Sequence, residues 1–128
     1  MADEEPGYLE GARILIVEDE YYLAEDLAAA LKQRGAEVLG PVGTVDEASD
    51  MVAAGAFDCA ILDMNLRGDM AFPVADRLEE AGIPFVIATG YNSASLPARF
   101  GAIPRVEKPF DPEQVISAIG PLAARASK

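Results

Sequence analysis

Histidine is missing from this chain of 128 residues, so no imidazole is available as a base, a metal ligand or a phosphate carrier. Cysteine is nearly missing too. The one example, Cys59, cannot form an internal disulfide, and its place in an apolar run is typical of a small buried hydrophobe. No apolar run approaches the ~20 residues that a membrane span needs, and the acidic N-terminus lacks the basic region of a signal peptide. We therefore expect a cytoplasmic protein.

Positive charge is scarce as well. The chain has 10 Lys and Arg residues against 22 Asp and Glu residues, which gives a formal net charge of −12. Such a charge repels phosphate backbones, so we expect no nucleic-acid partner, and we expect no membrane partner either. Apolar residues make up 51% of the chain, too many for disorder throughout. The length is sufficient for one domain with one core.

Short apolar runs alternate with stretches of helical periodicity, and this alternation predicts βαβ units around a parallel sheet. The predicted strands are residues 13–17, 37–40, 57–62, 84–88 and 102–106. The predicted helices are residues 20–34, 44–54, 72–81 and a last helix that Asp111 caps. We expect Pro121 to kink or interrupt this last helix about one turn before its end. The pattern as a whole predicts an α/β domain of the (βα)₅ type.

The predicted domain covers residues 12–126, and residues 1–11 are predicted to be a flexible N-terminal arm. Tyr8 and Leu9 are the arm residues that are apolar enough to pack on the domain. The connection from residue 90 to residue 101 has poor helix support, because it carries a proline and several Asn and Ser residues. The form of this connection stays open at the level of the sequence.

Polar residues stand at the carboxyl ends of four of the five predicted strands. They are Glu18 and Asp19, Asp63, Thr89, and Lys108. In parallel sheets of this kind, ligands bind beyond the carboxyl ends of the strands. We therefore expect these side chains to converge on one site. A hydroxyl and an ammonium group there suit a phosphoryl group held beside a metal.

The three carboxylates form the predicted metal site. Carboxylate oxygens are the hard ligands that Mg²⁺ prefers, so we expect Glu18, Asp19 and Asp63 to hold this ion. Adjacent residues leave a strand in different directions, so one of the first pair should bind directly and the other through water. Asp19 is the expected direct ligand, and the main-chain carbonyl of Asn65 is a further candidate. Both acids of the pair also suit a helix N-terminus, where they complement the helix dipole.

Considered together, these motifs resemble the receiver domain of two-component response regulators over about residues 12–126. The segment Ile87-Ala88-Thr89-Gly90-Tyr91 is similar to the Phe-Ala-Thr-Gly-Tyr signature of one subfamily. The resemblance implies a flavodoxin-like, doubly wound sheet with strand order 2-1-3-4-5. It also implies that a histidine kinase phosphorylates Asp63 in the presence of Mg²⁺. By the same resemblance, Thr89 and Lys108 bind the phosphoryl group.

Two positions depart from the pattern. Ile87 stands where the subfamily signature has Phe, and Arg105 stands three residues before Lys108, where receivers typically carry a switching Tyr or Phe. The usual rearrangement of a Thr and an aromatic side chain therefore cannot operate in this chain, because the aromatic residue is missing from that position. We expect the segment from Tyr91 to Gly101 to be the main surface that phosphorylation remodels.

The favoured hypothesis is a signalling module and not an enzyme. It is a single-domain response regulator that acts through protein–protein interaction with an unknown downstream protein, or as a phosphate sink. The chain ends soon after its last helix, which leaves no room for a DNA-binding unit. A receiver excised from a hybrid histidine kinase or a larger regulator would look the same.

Two other function classes stay open. A phosphatase of the haloacid dehalogenase type would need a second Asp two residues after the nucleophile, where this chain has Asn65. A pseudo-receiver, which binds its partners without phosphate, is the second alternative, because Arg105 replaces the switching aromatic.

Overall fold

The computed structural model describes residues 9–90 and 96–126, and its main feature is a parallel sheet of five strands. The strands along the chain are β1 (Arg13–Val17), β2 (Glu37–Val42), β3 (Cys59–Asp63), β4 (Asn65–Leu66), β5 (Asp69–Met70), β6 (Phe85–Thr89) and β7 (Arg105–Glu107). The order across the sheet is β2-β1-β3-β6-β7, and β4 pairs only with β5. When the sheet strands alone are counted, this is the order 2-1-3-4-5, so the predicted flavodoxin-like fold is confirmed.

Helices cover both faces of the sheet and divide the core into two layers. The helices are α1 (Tyr21–Gln33), α2 (Val45–Ala54), α3 (Phe72–Ala81) and α4 (Pro112–Ala126). Side chains alternate along β1, so Ile14 and Ile16 pack with α1 and α4, while Leu15 and Val17 pack with α2 and α3. Every residue of β3 and β6 is buried, because both faces of these central strands are covered.

Two of the predicted strands end one residue later than expected. β3 runs to Asp63 and β6 runs to Thr89, because Asp63 pairs with Ala88 and Thr89 pairs with Glu107 in the parallel ladders. The two polar residues are therefore the last members of their strands. The rigid sheet fixes where their side chains lie.

Capping hydrogen bonds from side chains lie at the N-terminus of α2. The Thr44 hydroxyl accepts a hydrogen bond from the Glu47 amide at 3.1 Å, and the Glu47 carboxylate accepts one from the Gly43 amide at 3.3 Å. Gly55 ends the helix with a φ of 68°, a left-handed conformation that favours glycine. The Thr-x-x-Glu pattern of Thr44 and Glu47 therefore marks the start of α2.

Replacing Thr44 by Ala is expected to lower the free energy of unfolding by about 1 kcal/mol, because a backbone donor at the helix start loses its side-chain acceptor. Urea denaturation followed by circular dichroism measures this value. Ser49→Ala, in the interior of the same helix, is the matched control, and we expect it to change the stability by less than about 0.5 kcal/mol. Equal effects of the two substitutions would contradict the role of the cap.

The stretch that follows β3 is a small hairpin. Asn65 pairs with Met70 and Leu66 pairs with Asp69 in antiparallel register. The two turn residues between the strands, Arg67 and Gly68, have φ values of 55° and 90°. Positive φ at both positions is the geometry of a type I′ turn, which matches the twist of the flanking strands. The buried Leu66 side chain anchors the hairpin to the core.

The last helix continues through Pro121, so the predicted interruption is wrong. α4 extends from Pro112 to Ala126 without a break. A proline inside a helix removes one backbone hydrogen bond. The side chains of Leu122 and Ala123 are buried in the core just beyond it, and their packing holds the last turn in place. Tertiary packing overrides the local preference here.

The connection before β7 is only partly predicted. Ala98–Phe100 form a short 3₁₀ turn, Phe100 is fully buried, and its ring stacks on that of Phe72 at a centroid distance of 6.0 Å. Residues 91–95 lie outside the described residues. β7 begins at Arg105 and not at residue 102, because the amide of Ile103 bonds back to the Phe100 carbonyl within the turn.

The second strand and the N-terminus also differ in extent from the predictions. β2 continues to Val42 through a register shift next to a cis Gly40–Pro41 bond. Leu9 is buried in the core, and its amide donates a hydrogen bond to the Arg34 carbonyl at 2.7 Å. Packing of Leu9 was the alternative left open by the sequence, whereas Tyr8 and the rest of residues 1–8 lie outside the described residues.

Candidate functional site

The predicted site residues meet at the carboxyl edge of the sheet. Glu18 and Asp19 follow β1, Asp63 ends β3, Thr89 ends β6, and Lys108 follows β7. Carboxylate oxygens of Glu18, Asp19 and Asp63 lie within 4.8 Å of one another. The strand order explains this convergence, because β1, β3 and β6 are neighbours and β7 is next in line.

The Lys108 ammonium lies among the carboxylates. Its Nζ donates to Asp63 Oδ2 at 2.9 Å, to Glu18 Oε2 at 3.1 Å and to Glu20 Oε1 at 3.1 Å. Burial acts to lower the pKa of Lys108, but the hydrogen bond and the attraction from Asp63, followed by the attraction from Glu18, raise it above its usual value. Lys108 is thus a fixed cation in contact with Asp63.

Asp63 is buried, and both of its carboxylate oxygens have donors. Oδ2 accepts from Lys108, and Oδ1 accepts from the Asn65 amide at 3.0 Å. A buried carboxylate is costly unless it is paired and hydrogen-bonded. Here one cation and one backbone amide hold the group at the end of a rigid strand. A carboxylate held in this way is suited to act as a nucleophile toward an incoming phosphorus atom.

Glu18 shows that negative charge is in excess at the site. Its Oε2 accepts from Lys108 and from the Glu20 amide, the latter at 3.1 Å. Burial and then repulsion from Asp63 raise the pKa of Glu18 to about 7, in spite of these hydrogen bonds. A buried carboxylate cluster that the lysine does not fully neutralise is the donor set that a hard divalent cation requires. The residues present therefore fit Mg²⁺.

Asp19 lies at the more exposed side of the cluster and also fixes the hairpin. Its Oδ2 accepts a hydrogen bond from the Arg67 amide at 3.0 Å. The Asn65 side-chain oxygen accepts from the Gly68 amide at 2.8 Å, so the hairpin turn is bonded at both ends. Ligation of a metal by the main-chain carbonyl of Asn65 stays a prediction. The backbone next to the carboxylates is nevertheless held firmly.

Thr89 has the unusual feature of a buried hydroxyl without a partner among the described residues. An unsatisfied buried hydroxyl costs about 1–3 kcal/mol, so such groups generally have a reason to be retained. The main chain ties Thr89 to the lysine, since the Lys108 amide donates to the Thr89 carbonyl at 2.6 Å. The Lys108–Pro109 bond that follows is cis. A phosphoryl oxygen on Asp63 would provide the acceptor that the hydroxyl lacks.

A family model described as the response regulator receiver domain matches residues 14–120, which is most of the chain. The chain belongs to the response regulator receiver domain family. Receivers of this family are phosphorylated by histidine kinases and typically use Mg²⁺. The match agrees with the fold and with the acid cluster described above.

Two curated relatives place this receiver among signalling proteins. It is 33% identical over 107 residues to the sensory transduction protein LytT of Bacillus subtilis (strain 168), covering 80% of this chain and 44% of LytT. It is 31% identical over 111 residues to the transcriptional regulatory protein PdtaR of Mycobacterium tuberculosis, covering 84% of this chain and 54% of PdtaR. The receiver thus spans about half the length of the curated relatives it matches.

A solved structure is more similar in sequence to this chain than these two relatives are. The solution structure of SdrG from Sphingomonas melonis Fr1 is 42% identical, with a TM-score of 0.77 over 87% of this chain and 95% of that one. The BeF₃-activated conformation of SdrG gives a TM-score of 0.73. Within the part of this receiver that the structure describes, no helix has the length and apolar character needed to cross a membrane.

Sequence reasoning missed two contacts of the receiver site. Glu20 was assigned only to the start of α1, yet it is the third carboxylate bonded to Lys108. A run of three acids, Glu18-Asp19-Glu20, was the available signal. The backbone bond from Arg67 to Asp19 had no signal of its own, because any residue other than proline carries the same amide.

Proposed function

We propose that this chain is a cytoplasmic phosphoacceptor receiver in two-component phosphorelay signalling, and that a histidine kinase phosphorylates Asp63 with Mg²⁺. The observation that carries the proposal is the buried Asp63 carboxylate bonded to Lys108 at 2.9 Å. At the end of the neighbouring strand lies the Thr89 hydroxyl, which has no partner among the described residues. This arrangement supplies a nucleophile, a cation and a hydrogen-bond donor at one point. It contains no imidazole of its own, so the phosphoryl group comes from the histidine of a partner.

The proposed transfer is an in-line displacement at phosphorus. An oxygen of Asp63 forms a bond to phosphorus as the bond from phosphorus to the kinase imidazole nitrogen breaks, and the imidazole keeps the electron pair. The product is an acyl phosphate on Asp63. Lys108 offsets charge on the phosphoryl oxygens, and the Thr89 hydroxyl donates a hydrogen bond to one of them.

The residues proposed to hold Mg²⁺ are Glu18, Asp19, Asp63 and the main-chain carbonyl of Asn65. A bound Mg²⁺ ion supplies neutralisation of the negative charge shared by these carboxylates and the phosphoryl oxygens. Asp19 is the proposed direct ligand and lies at the exposed side of the cluster. Glu18 is more deeply buried and is bonded to Lys108, so we expect it to contact the metal through a water molecule.

We further propose that the chain is of the subfamily with the Phe-Ala-Thr-Gly-Tyr type of signature and functions as a single-domain regulator. This chain covers 95% of the solved SdrG chain, a receiver-sized chain, which supports the single-domain hypothesis. Such a receiver would bind a downstream protein or serve as a phosphate sink, with neither nucleic acid nor membrane as partner. A receiver from a hybrid histidine kinase or a larger regulator is the alternative, and both would carry out the same transfer.

Incubation with Mg²⁺ and acetyl phosphate, followed by intact mass spectrometry, tests the proposal. We expect a single gain of about 80 Da, the mass of one phosphoryl group, that chelation of the metal prevents. An unchanged mass under all conditions would favour a phosphate-independent pseudo-receiver. Continuous release of phosphate from a phosphate monoester, without a labelled protein, would favour a phosphatase.

Replacing Lys108 by Ala is expected to separate phosphorylation from the conformational response. The nucleophile Asp63 stays in place, so labelling should persist within about a factor of ten of the wild type, whereas the cation that contacts both Asp63 and the phosphoryl group is lost. We expect the amide chemical-shift changes on labelling to shrink to a small fraction of their wild-type size. Thr89→Ala should act similarly.

Lys32→Ala, which removes an exposed lysine in the last turn of α1, is the control for this experiment and should behave like the wild type. A phosphorylated Lys108→Ala variant that shows the full wild-type shift pattern would contradict the proposed coupling.

A further inference from the structure

Glu20 is the acceptor of Lys108 that the phosphoryl transfer described above does not use. A lysine ammonium has three N–H donors, and in this structure they meet Asp63, Glu18 and Glu20 at 2.9, 3.1 and 3.1 Å. All three donors therefore have a carboxylate partner. When Asp63 forms an acyl phosphate its own carboxylate charge is lost, so a phosphoryl oxygen can take the donor that met Asp63. The remaining charge of the phosphoryl group then competes with Glu18 and Glu20 for the other two donors.

Exposure then decides whether Glu18 or Glu20 yields to the phosphoryl group. The side chains of Glu18 and Asp63 are 3% and 5% exposed, whereas that of Glu20 is 60% exposed. A buried carboxylate that loses its cation is left unsolvated, which is strongly unfavourable. An exposed carboxylate exchanges the cation for water at little cost. Glu20 is thus the partner that can be released most easily.

We propose that Glu20 is a positioning residue for Lys108. Glu20 holds the Lys108 ammonium in the resting state, and the phosphoryl group on Asp63 displaces it. The inference rests on the proposed function of Asp63 as phosphoacceptor. Glu20 opposes the bound phosphoryl group, because the two compete for the same ammonium. The affinity for the phosphoryl group is lowered by about the free energy of one exposed ion pair.

Displacement of Glu20 also links phosphorylation of Asp63 to the start of α1. Glu20 is the residue directly before α1, and its side chain makes no capping hydrogen bond in this structure. Two exposed aromatic residues, Tyr21 and Tyr22, follow it with their rings in an edge-to-face contact at 5.3 Å. Release of the carboxylate from Lys108 therefore changes the contacts at a helix start that carries an exposed aromatic pair. This route does not use the position occupied by Arg105.

Binding of beryllofluoride, a phosphoryl mimic, at saturating Mg²⁺ measures the proposed competition as an equilibrium. Glu20→Gln removes the charge of the exposed ion pair, so we expect its affinity for beryllofluoride to rise about two- to fivefold over the wild type. Glu25→Gln, which removes an exposed acid farther along α1, is the matched control and should leave the affinity unchanged. Thermal unfolding of the two variants should differ little, so the effect is one of binding and not of fold.

Glu20→Asp distinguishes the contact with Lys108 from the effect of charge alone. The shorter side chain keeps the charge but cannot reach the ammonium at hydrogen-bond distance, so we expect it to bind beryllofluoride as tightly as Glu20→Gln does. In a crystal structure of the wild-type complex, Glu20 Oε1 should lie more than about 4 Å from Lys108 Nζ, the limit of an ion pair.

Three results would overturn the inference: wild-type affinity in Glu20→Gln, wild-type affinity in Glu20→Asp beside a tighter Glu20→Gln, or an intact Glu20–Lys108 bond in the beryllofluoride complex. These results can be distinguished from a failure of the proposed function of Asp63. If Asp63 is not the phosphoacceptor, the wild type itself will bind no beryllofluoride, or Asp63→Asn will bind it equally well.

Discussion

Asp63→Asn is expected to remove the whole phosphoryl mass gain of about 80 Da, with acetyl phosphate or a histidine kinase as donor. The amide nitrogen of Asn is not a nucleophile, whereas the side-chain oxygen can still accept from the Asn65 amide or from Lys108, so the variant should fold. The other acids of the cluster are not substitutes. Glu18 is bonded to Lys108 and to the Glu20 amide, and Asp19 is bonded to the hairpin backbone.

The control for this experiment is Asp69→Asn, which changes an exposed aspartate at the end of the adjacent hairpin. We expect the control to gain the same mass as the wild type under the same conditions. Labelling that persists in Asp63→Asn would show that another residue accepts the phosphoryl group, and would contradict the assignment.

Asp19→Asn is expected to lower the affinity for Mg²⁺ strongly while the fold is retained. Loss of a group that hydrogen-bonds to a metal ligand typically costs about 10- to 100-fold in metal affinity, and loss of a direct ligand should cost at least as much. The side-chain oxygen of Asn can still accept from the Arg67 amide, so the hairpin should stay in place. In the wild type, Mg²⁺ should raise the melting temperature, because it offsets repulsion among the carboxylates of Glu18, Asp19 and Asp63.

Differential scanning calorimetry over a series of Mg²⁺ concentrations measures this effect, with Asp26→Asn, an exposed acid on α1, as the matched control. The control should show the wild-type increase, and Asp19→Asn should show little or none at the same concentrations. Labelling by acetyl phosphate should decrease in parallel. If saturating Mg²⁺ does not change the melting temperature of the wild type, the metal site has been placed wrongly.

The fold could be predicted well where burial alone decides the structure. The apolar runs at residues 59–62 and 85–88 are continuous because β3 and β6 are covered on both faces. α3 begins at Phe72, with Pro73 in its first turn, and ends before Gly82, as its local signals predict. In such segments, local preference and tertiary packing agree.

The elements that were missed depend on contacts distant in sequence. The hairpin has two residues in each strand, too few to show the alternation of a strand, and the buried Leu66 anchors it. The last helix passes through Pro121 because Leu122 and Ala123 are packed in the core. The 3₁₀ turn at Ala98–Phe100 depends on the stacking of Phe100 on Phe72. No local pattern contains this information.

The candidate site, like the fold, could be predicted only in part. The contact between Lys108 and Asp63 could be predicted because strand order brings the ends of parallel strands together. That the Thr89 hydroxyl has no partner among the described residues could not be predicted, since this depends on every atom around it. Glu20 was missed because an acid before a helix is commonplace, and only the position of Lys108 shows that it has another partner.

The position of the phosphoryl group on the chain tests the central claim most directly. The wild type should be labelled with acetyl phosphate and Mg²⁺, treated with borohydride to reduce the acyl phosphate to a stable alcohol, digested, and sequenced by tandem mass spectrometry. We predict one modified residue, Asp63, converted to homoserine in the labelled sample and unchanged in the sample without phosphodonor. Modification of Glu18, Asp19 or any residue other than Asp63 would contradict the account.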